Sequence, residues 1–274
     1  MTLTAAPPAP VKATRRPRAG KAAVRGTVGL AGFVLVLELM PRLGIVDREY
    51  LPPFSSMIDA LVEQASGPEF WQAFVQTIRG WAIGLSIAVV AGVVLGVLIG
   101  SVQVLRDATS STIEFLRPIP SVALIPLAVL LFGTDMRSTL ILVVYASFWQ
   151  VLVQVLYGVQ DVDPVARETA RSYRFRGLTQ VRTVIWPTAL PYVMTGFRLA
   201  ASVALILEIT GELIIGSPGL GRQIALAQSS GAVSTMYALV IVTGLLGVAM
   251  NLVARTLERR VLRWHPSVRR EVGA

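Results

Sequence analysis

The chain has 274 residues, a formal net charge of +9, 54% hydrophobic and 15% charged residues, and a mean hydropathy of +0.65. Soluble domains carry about 25% charged residues, so the composition points to an integral membrane protein. The absence of cysteine excludes disulfides, thiolate metal sites and cysteine nucleophiles, and a lone histidine, His265, excludes a multi-histidine metal site within one chain.

Residues 1–25 are rich in Ala, Pro, Lys and Arg and read as a disordered basic tail. Both lysines, Lys12 and Lys21, lie there, so no G-x-x-x-x-G-K-[ST] phosphate loop exists, and ATP-driven work would need nucleotide on another chain. Gly26 to Met40, extending toward Val46, is the first hydrophobic run. It has the length of a signal peptide, but Glu38 and Pro41-Arg42 end it and no small-x-small cleavage site follows, so the sequence predicts an uncleaved span. Residues 47–71 are mixed, with Ile58, Leu61 and Val62 spaced for a short surface helix.

The second span is expected from Phe74 to Ile99. Its Gly80, Gly84, Gly92, Gly96 and Gly100 fall on one face, where a neighbouring backbone can approach closely; packing is the stronger reading, a pathway the weaker. Ser101 to Thr112 reads as a polar turn, and a third span, 113–132, contains Pro118, Pro120 and Pro126, which should bend or break it near its inner end. A fourth span, 138–157, holds Gln150 and Gln154 one turn apart, either lining a pathway or bonding between helices.

Residues 161–187 form a polar insert. Asp161 or Asp163 suits a helix cap, Pro164 a first turn, residues 165–176 a short amphipathic helix and Gly177 its stop. The face Ala166-Ala170-Tyr173 suits docking, and the arginines lie largely elsewhere; a basic loop that only sets topology is the competing reading. The fifth span, 190–213, carries Arg198, Glu208 and Glu212. The two carboxylates suit a gate or substrate path, a proton relay, or an interfacial pairing with arginine; Arg198 could meet Gln150 or an anion. Ser217 to Gly221 reads as a turn-rich loop, 236–254 as the sixth span and 255–270 as a basic tail.

With the N-terminus inside, the inner segments hold most arginines, among them Arg106, Arg117, Arg167, Arg171, Arg174, Arg176, Arg182, Arg255, Arg259 and Arg260. The outer segments hold only Arg42, Arg48, Arg137 and Arg222. Both termini and the insert are therefore expected in the cytoplasm. This distribution explains the +9 charge as topology, with no nucleic acid as partner and membrane lipid as surroundings.

Glu168-Thr169-Ala170, followed by Trp186-Pro187 and Ala189-Leu190-Pro191, resembles the cytoplasmic EAA loop of ABC-importer permeases, in particular the nitrate/sulfonate/taurine group. Arg117-Pro118-Ile119-Pro120, Ala123 to Leu127, Phe132-Gly133, Glu212 and Gly219-Leu220-Gly221 extend the likeness over roughly residues 70–257. Arg174 departs from it: the family has glycine six places after its glutamate, and Gly177 is the candidate to take over the turn.

The resemblance implies an all-α, polytopic protein of about six spans with the type I ABC-importer permease fold, in three parts: residues 1–25, a permease domain over 26–257, and a basic tail over 258–274. It implies no catalytic, metal or cofactor site in this chain, which would lie in a bacterial inner membrane. The partners it implies are a cytoplasmic ATP-binding subunit dimer, a second permease chain (a homodimer) and an extracytoplasmic binding protein. Glu168, Thr169, Ala170, Tyr173, Arg174, Gly177 and Pro187 would couple to the ATPase, and Gln150, Gln154, Glu208 and Glu212 would serve pathway or gate. The alternative is a proton-coupled secondary transporter or channel using Glu208 and Glu212.

Overall fold

The computed structural model describes residues 19–264 apart from Arg176, with side chains from residue 24 onward. The expected basic segments at 1–18 and 265–274 lie outside the described residues. The chain divides into two units, 1–56 and 57–274.

The first unit contains α1 (Ala19–Arg42), so the expected tail is helical from Ala19. Its Val24–Arg42 portion is long and apolar enough to cross a membrane. Glu38, at its polar end, pairs with Arg42 at 2.5 Å and accepts the Ser55 N–H at 2.9 Å and hydroxyl at 3.0 Å.

The second unit is built on three long helices: α3 (Pro68–Ser101), α6 (Met136–Gln160) and α9 (Trp186–Ile215). The expected surface helix is α2 (Phe54–Ser66). A Cβ on Gly84, Gly92, Gly96 or Gly100 would press into Val143, Val151, Val155 or Val159, taken in order. α3 and α6 therefore run parallel, with these four glycines under valines and the buried Ala88 completing the small-residue row, at a distance that larger side chains would disturb. α9 runs antiparallel to α6. Gly211 meets Thr139, Gly196 meets Val151, and Gly158 of α6 meets Ala189 and Tyr192. Buried Leu142, Val151, Val155, Val193, Ala200 and Ala204 fill the seam.

Two expectations are corrected. The polar turn at 101–112 is helical: α4 (Gln103–Leu116) contains neither glycine nor proline, and Val104, Leu105, Ala108, Phe115 and Leu116 fall on one face. Pro118 and Pro120 end it, a 3-10 turn (Ser121–Leu124) follows, and α5 (Ile125–Phe132) leaves at 83°. The expected break is thus present, with Tyr145 Oη donating to the Leu116 carbonyl at 2.6 Å across it. The turn-rich stretch 217–221 opens a helix, α10 (Leu220–Ser229), that the sequence reading missed. It packs with α9 and α11 (Val233–Val261) around Leu205, Leu220, Ile224, Leu239 and Val242.

Among the described residues four helices are long and apolar enough to span a membrane, and six spans result if each of two bent pairs counts as one. Among the described residues there is no strand.

Candidate functional site

The polar insert leaves α6 at Asp161 and forms α7 (Pro164–Ser172). Asp163 caps it, accepting the Val165 N–H at 2.7 Å, with Pro164 in the first position where its missing donor costs nothing. Arg167 turns back so that its Nη2 donates to the Val159 carbonyl in the last turn of α6, where unsatisfied carbonyls concentrate negative charge. Ala170 is 5% exposed and faces its own chain. Glu168, Thr169, Tyr173 and Arg174 face outward, as do Val165 and Leu178, Tyr173 at 75% and Leu178 at 82% exposure. The expected small docking face is therefore divided: Ala170 seats the helix and Tyr173 is presented.

The expected helix over 165–176, stopped by Gly177, is corrected. The Arg174 N–H donates to the Arg171 carbonyl at 2.9 Å and the Phe175 N–H to the Ala170 carbonyl at 2.8 Å, the two bonds of a Schellman closure. Arg174 adopts φ +59°, the left-handed position that this closure assigns to glycine. A side chain there costs about 1 kcal/mol. Arg174 makes the turn itself; Gly177, at φ +53°, instead opens the short turn α8 (Leu178–Gln180). A widened π-type turn (Val181–Ile185) then feeds α9, and the Trp186 N–H reaches back to the Val181 carbonyl. This turn accommodates Pro187, which lacks a donor, within a continuous helical run. Pro187 lines a cleft of about 520 Å³ with Asp161, Thr188, Pro191, Tyr192, Thr195 and Trp264. Tyr192 Oη donates to Asp161 Oδ2 at 2.9 Å, so Asp161 ties α6 to α9 while Asp163 does the capping.

At the opposite end of α9 lie Glu208 and Glu212, 1% and 0% exposed. Thr77 Oγ1 on α3 lies 2.7 and 3.0 Å from the two Glu212 oxygens and accepts the Leu220 N–H at 2.9 Å; the Gly221 N–H donates to Glu212 Oε2 at 2.9 Å. The first free donors of α10 are thus satisfied by side chains from α3 and α9. A Cβ at Gly219 would overlap the Glu212 carboxyl, and one at Gly80 the Glu208 carboxyl. Glu208 Oε2 is buried without a hydrogen-bond partner among the described residues. Beside this knot, Thr139 and Ser217 join hydroxyls at 2.6 Å. The sequence reading missed Thr77, whose only signal was its place one turn ahead of Gly80 on the small-residue face of α3.

The other polar candidates lie in helix seams. Gln154 Cβ and the Gln150 carbonyl sit over Gly196. Arg198, which the sequence left open to Gln150 or an anion, pairs with Glu258 of α11 at 3.1 Å, because α11 runs past the Arg198 face of α9. No group of three or more acidic or histidine side chains suited to a metal occurs among the described residues.

Residues 88–263 match the family model of the binding-protein-dependent transport system inner membrane component. The putative aliphatic sulfonates transport permease protein SsuC of Bacillus subtilis (strain 168) is 27% identical over 244 residues, covering 89% of this chain and 88% of its own. The taurine transport system permease protein TauC of Escherichia coli (strain K12) is 29% identical over 245 residues, covering 87% and 89%. Among solved structures, an inward-facing form of the MetNI methionine ABC transporter aligns with a TM-score of 0.59 at 17% identity, over 68% of this chain and 93% of that one, a likeness of fold.

Proposed function

The chain belongs to the family of binding-protein-dependent transport system inner membrane components, and on that premise we propose that α7 is the helix through which a separate ATPase drives it. As an ABC-importer permease it is a multi-pass membrane transport component, and ATP hydrolysis resides in a partner subunit. In the proposed arrangement two copies form the pathway, each engaging one of two cytoplasmic ATP-binding subunits, and an extracytoplasmic binding protein delivers substrate. The named relatives favour a small sulfonated nutrient of the alkanesulfonate or taurine kind, with nitrate the further candidate of the resembled group. The arginine distribution supports cytoplasmic termini and a cytoplasmic α7.

One observation carries the coupling reading. A polar segment presents Val165, Tyr173 and Leu178 to solvent while burying Ala170 and tying Arg167 to the end of α6. Exposed large apolar side chains on a braced polar helix fit a protein contact, with an aromatic anchor and a charged rim. The brace supplies the mechanics: a push on α7 reaches α6 through Arg167 and α9 through the turn at 181–185.

The test uses Glu168→Arg and Tyr173→Asp in cells expressing the whole transporter. Both variants should reach the membrane in normal amount, lose substrate uptake and lose coprecipitation of the ATP-binding subunit; undiminished coprecipitation in both defeats the docking role. Because the chain has no cysteine, a Ser172→Cys variant also reports orientation: an impermeant maleimide should label it in inverted vesicles and not in intact cells. The competing proton-coupled reading draws no support from the knot, since Glu212 is committed to Thr77 and Gly221 and both carboxylates are closed to solvent.

A further inference from the structure

We propose that Arg174 is a charge contact reserved for an acidic patch on the ATP-binding subunit, and that it helps set which such subunit this permease accepts. The inference rests on the reading of α7 as the docking helix and adds the chemistry of the surface it meets.

The observation is a mismatch between backbone and side chain. Both Schellman bonds are in place around Arg174, and its φ of +59° is the conformation that glycine adopts freely and other residues adopt with strain. Among the described residues nothing offsets that strain through the guanidinium: Arg174 is exposed and makes no ion pair with any of them. A cation near a helix C-terminus is favourable, but Arg171 already supplies one within the last turn. The arginine therefore weakens the folded loop relative to glycine, and its return lies outside the molecule.

The surroundings define what it would meet. Tyr173 beside it is 75% exposed, and Arg171 and Arg182 are exposed on the same loop, against Glu168 as the acidic exposed residue of α7. An aromatic anchor next to a cluster of guanidinium groups is complementary to carboxylates flanking an apolar groove. Arginine suits that target because its planar fork binds a carboxylate through two parallel hydrogen bonds. The left-handed turn also fixes the direction in which the Cα–Cβ bond of Arg174 leaves the helix end.

The test reconstitutes the full permease in nanodiscs with the ATP-binding subunit purified from the same transporter, comparing wild type with Arg174→Gly, Arg174→Lys and Arg174→Glu. Arg174→Gly should raise the thermal midpoint of the permease by about 2–4 °C. It should also weaken binding of the ATP-binding subunit about tenfold at low salt and flatten the dependence on salt. Arg174→Lys should stay within about threefold of wild type, and Arg174→Glu should bind more weakly than Arg174→Gly. Opposite signs in stability and binding separate a partner contact from a structural cap. If Arg174→Gly binds as wild type does, with the same salt dependence, or if it lowers stability and binding together, the contact is overturned and the docking reading stands. If wild type itself fails to bind the subunit, the docking reading falls and this contact with it.

Discussion

The two ends of the α6–α9 pair are built on opposite rules. At the α10 end, polar groups are hidden: Glu208 and Glu212 are essentially unexposed, and Glu212, Thr77, Leu220 and Gly221 satisfy one another. At the α7 end, apolar groups are shown: Val165, Tyr173 and Leu178 stand in solvent on a basic segment. A buried network in which one group serves several partners holds helices in one arrangement, because each broken bond leaves a desolvated group unpaired. An exposed apolar tip on a braced helix does little for its own chain and is useful to a neighbour. Stability and coupling should therefore separate cleanly between the ends, with substitutions at one moving what substitutions at the other leave still.

The largest expected effect tests the buried end. Gly219→Leu would drive a side chain into the Glu212 carboxyl, forcing apart α9 and the start of α10. We expect a loss of about 3 kcal/mol or more, combining overpacking with orphaned donors. The measurement is thermal unfolding of the purified protein in detergent. A midpoint within a degree of wild type would show that the knot is not tight.

Glu212 divides that effect by chemistry. Glu212→Gln keeps an acceptor for the Gly221 N–H and should lose about 1 kcal/mol, whereas Glu212→Ala strands that donor and should lose about 2–4 kcal/mol. Uptake should follow folded protein in both variants. If Glu212→Gln folds normally but abolishes uptake, the carboxylate does more than cap α10.

The smallest effect tests the exposed end. Tyr173→Ala should change unfolding by less than about 0.5 kcal/mol, since the ring is mostly in solvent, while uptake and ATP-binding-subunit recruitment fall sharply. Equal loss of stability and uptake would erase the contrast between the two ends. The half-exposed Arg198–Glu258 pair offers a useful baseline: Arg198→Ala should cost about 0–1 kcal/mol and leave recruitment unchanged.

Much of the architecture was legible one residue at a time. Apolar runs located the long helices, and the glycines of α3 announced a close partner before α6 was known to supply it. The prolines from Pro118 to Pro126 foretold the break between α4 and α5, and Asp163 with Pro164 foretold the start of α7. The helices α4 and α10 went unread because their polar residues mimic turns. α4 sets its polar residues on one face, and α10 begins at a Ser-Pro-Gly-Leu-Gly run whose donors are satisfied by residues far away in sequence. The end of α7 was misread because glycine is the usual signal for a left-handed closure, and here arginine makes it.

The chain by itself determined that this protein lives in a membrane as a set of helices and that one polar insert stands apart from them, because hydrophobicity, proline and charge act locally. Only the tertiary structure decided which groups meet. Thr77 and Gly221 reach Glu212 across 135 and 9 residues of chain, Arg198 finds Glu258 60 residues away, and Ala170 turns inward while Tyr173 turns out. Such pairings depend on how helices are juxtaposed, and that is set by packing across the whole bundle rather than by any single stretch of it.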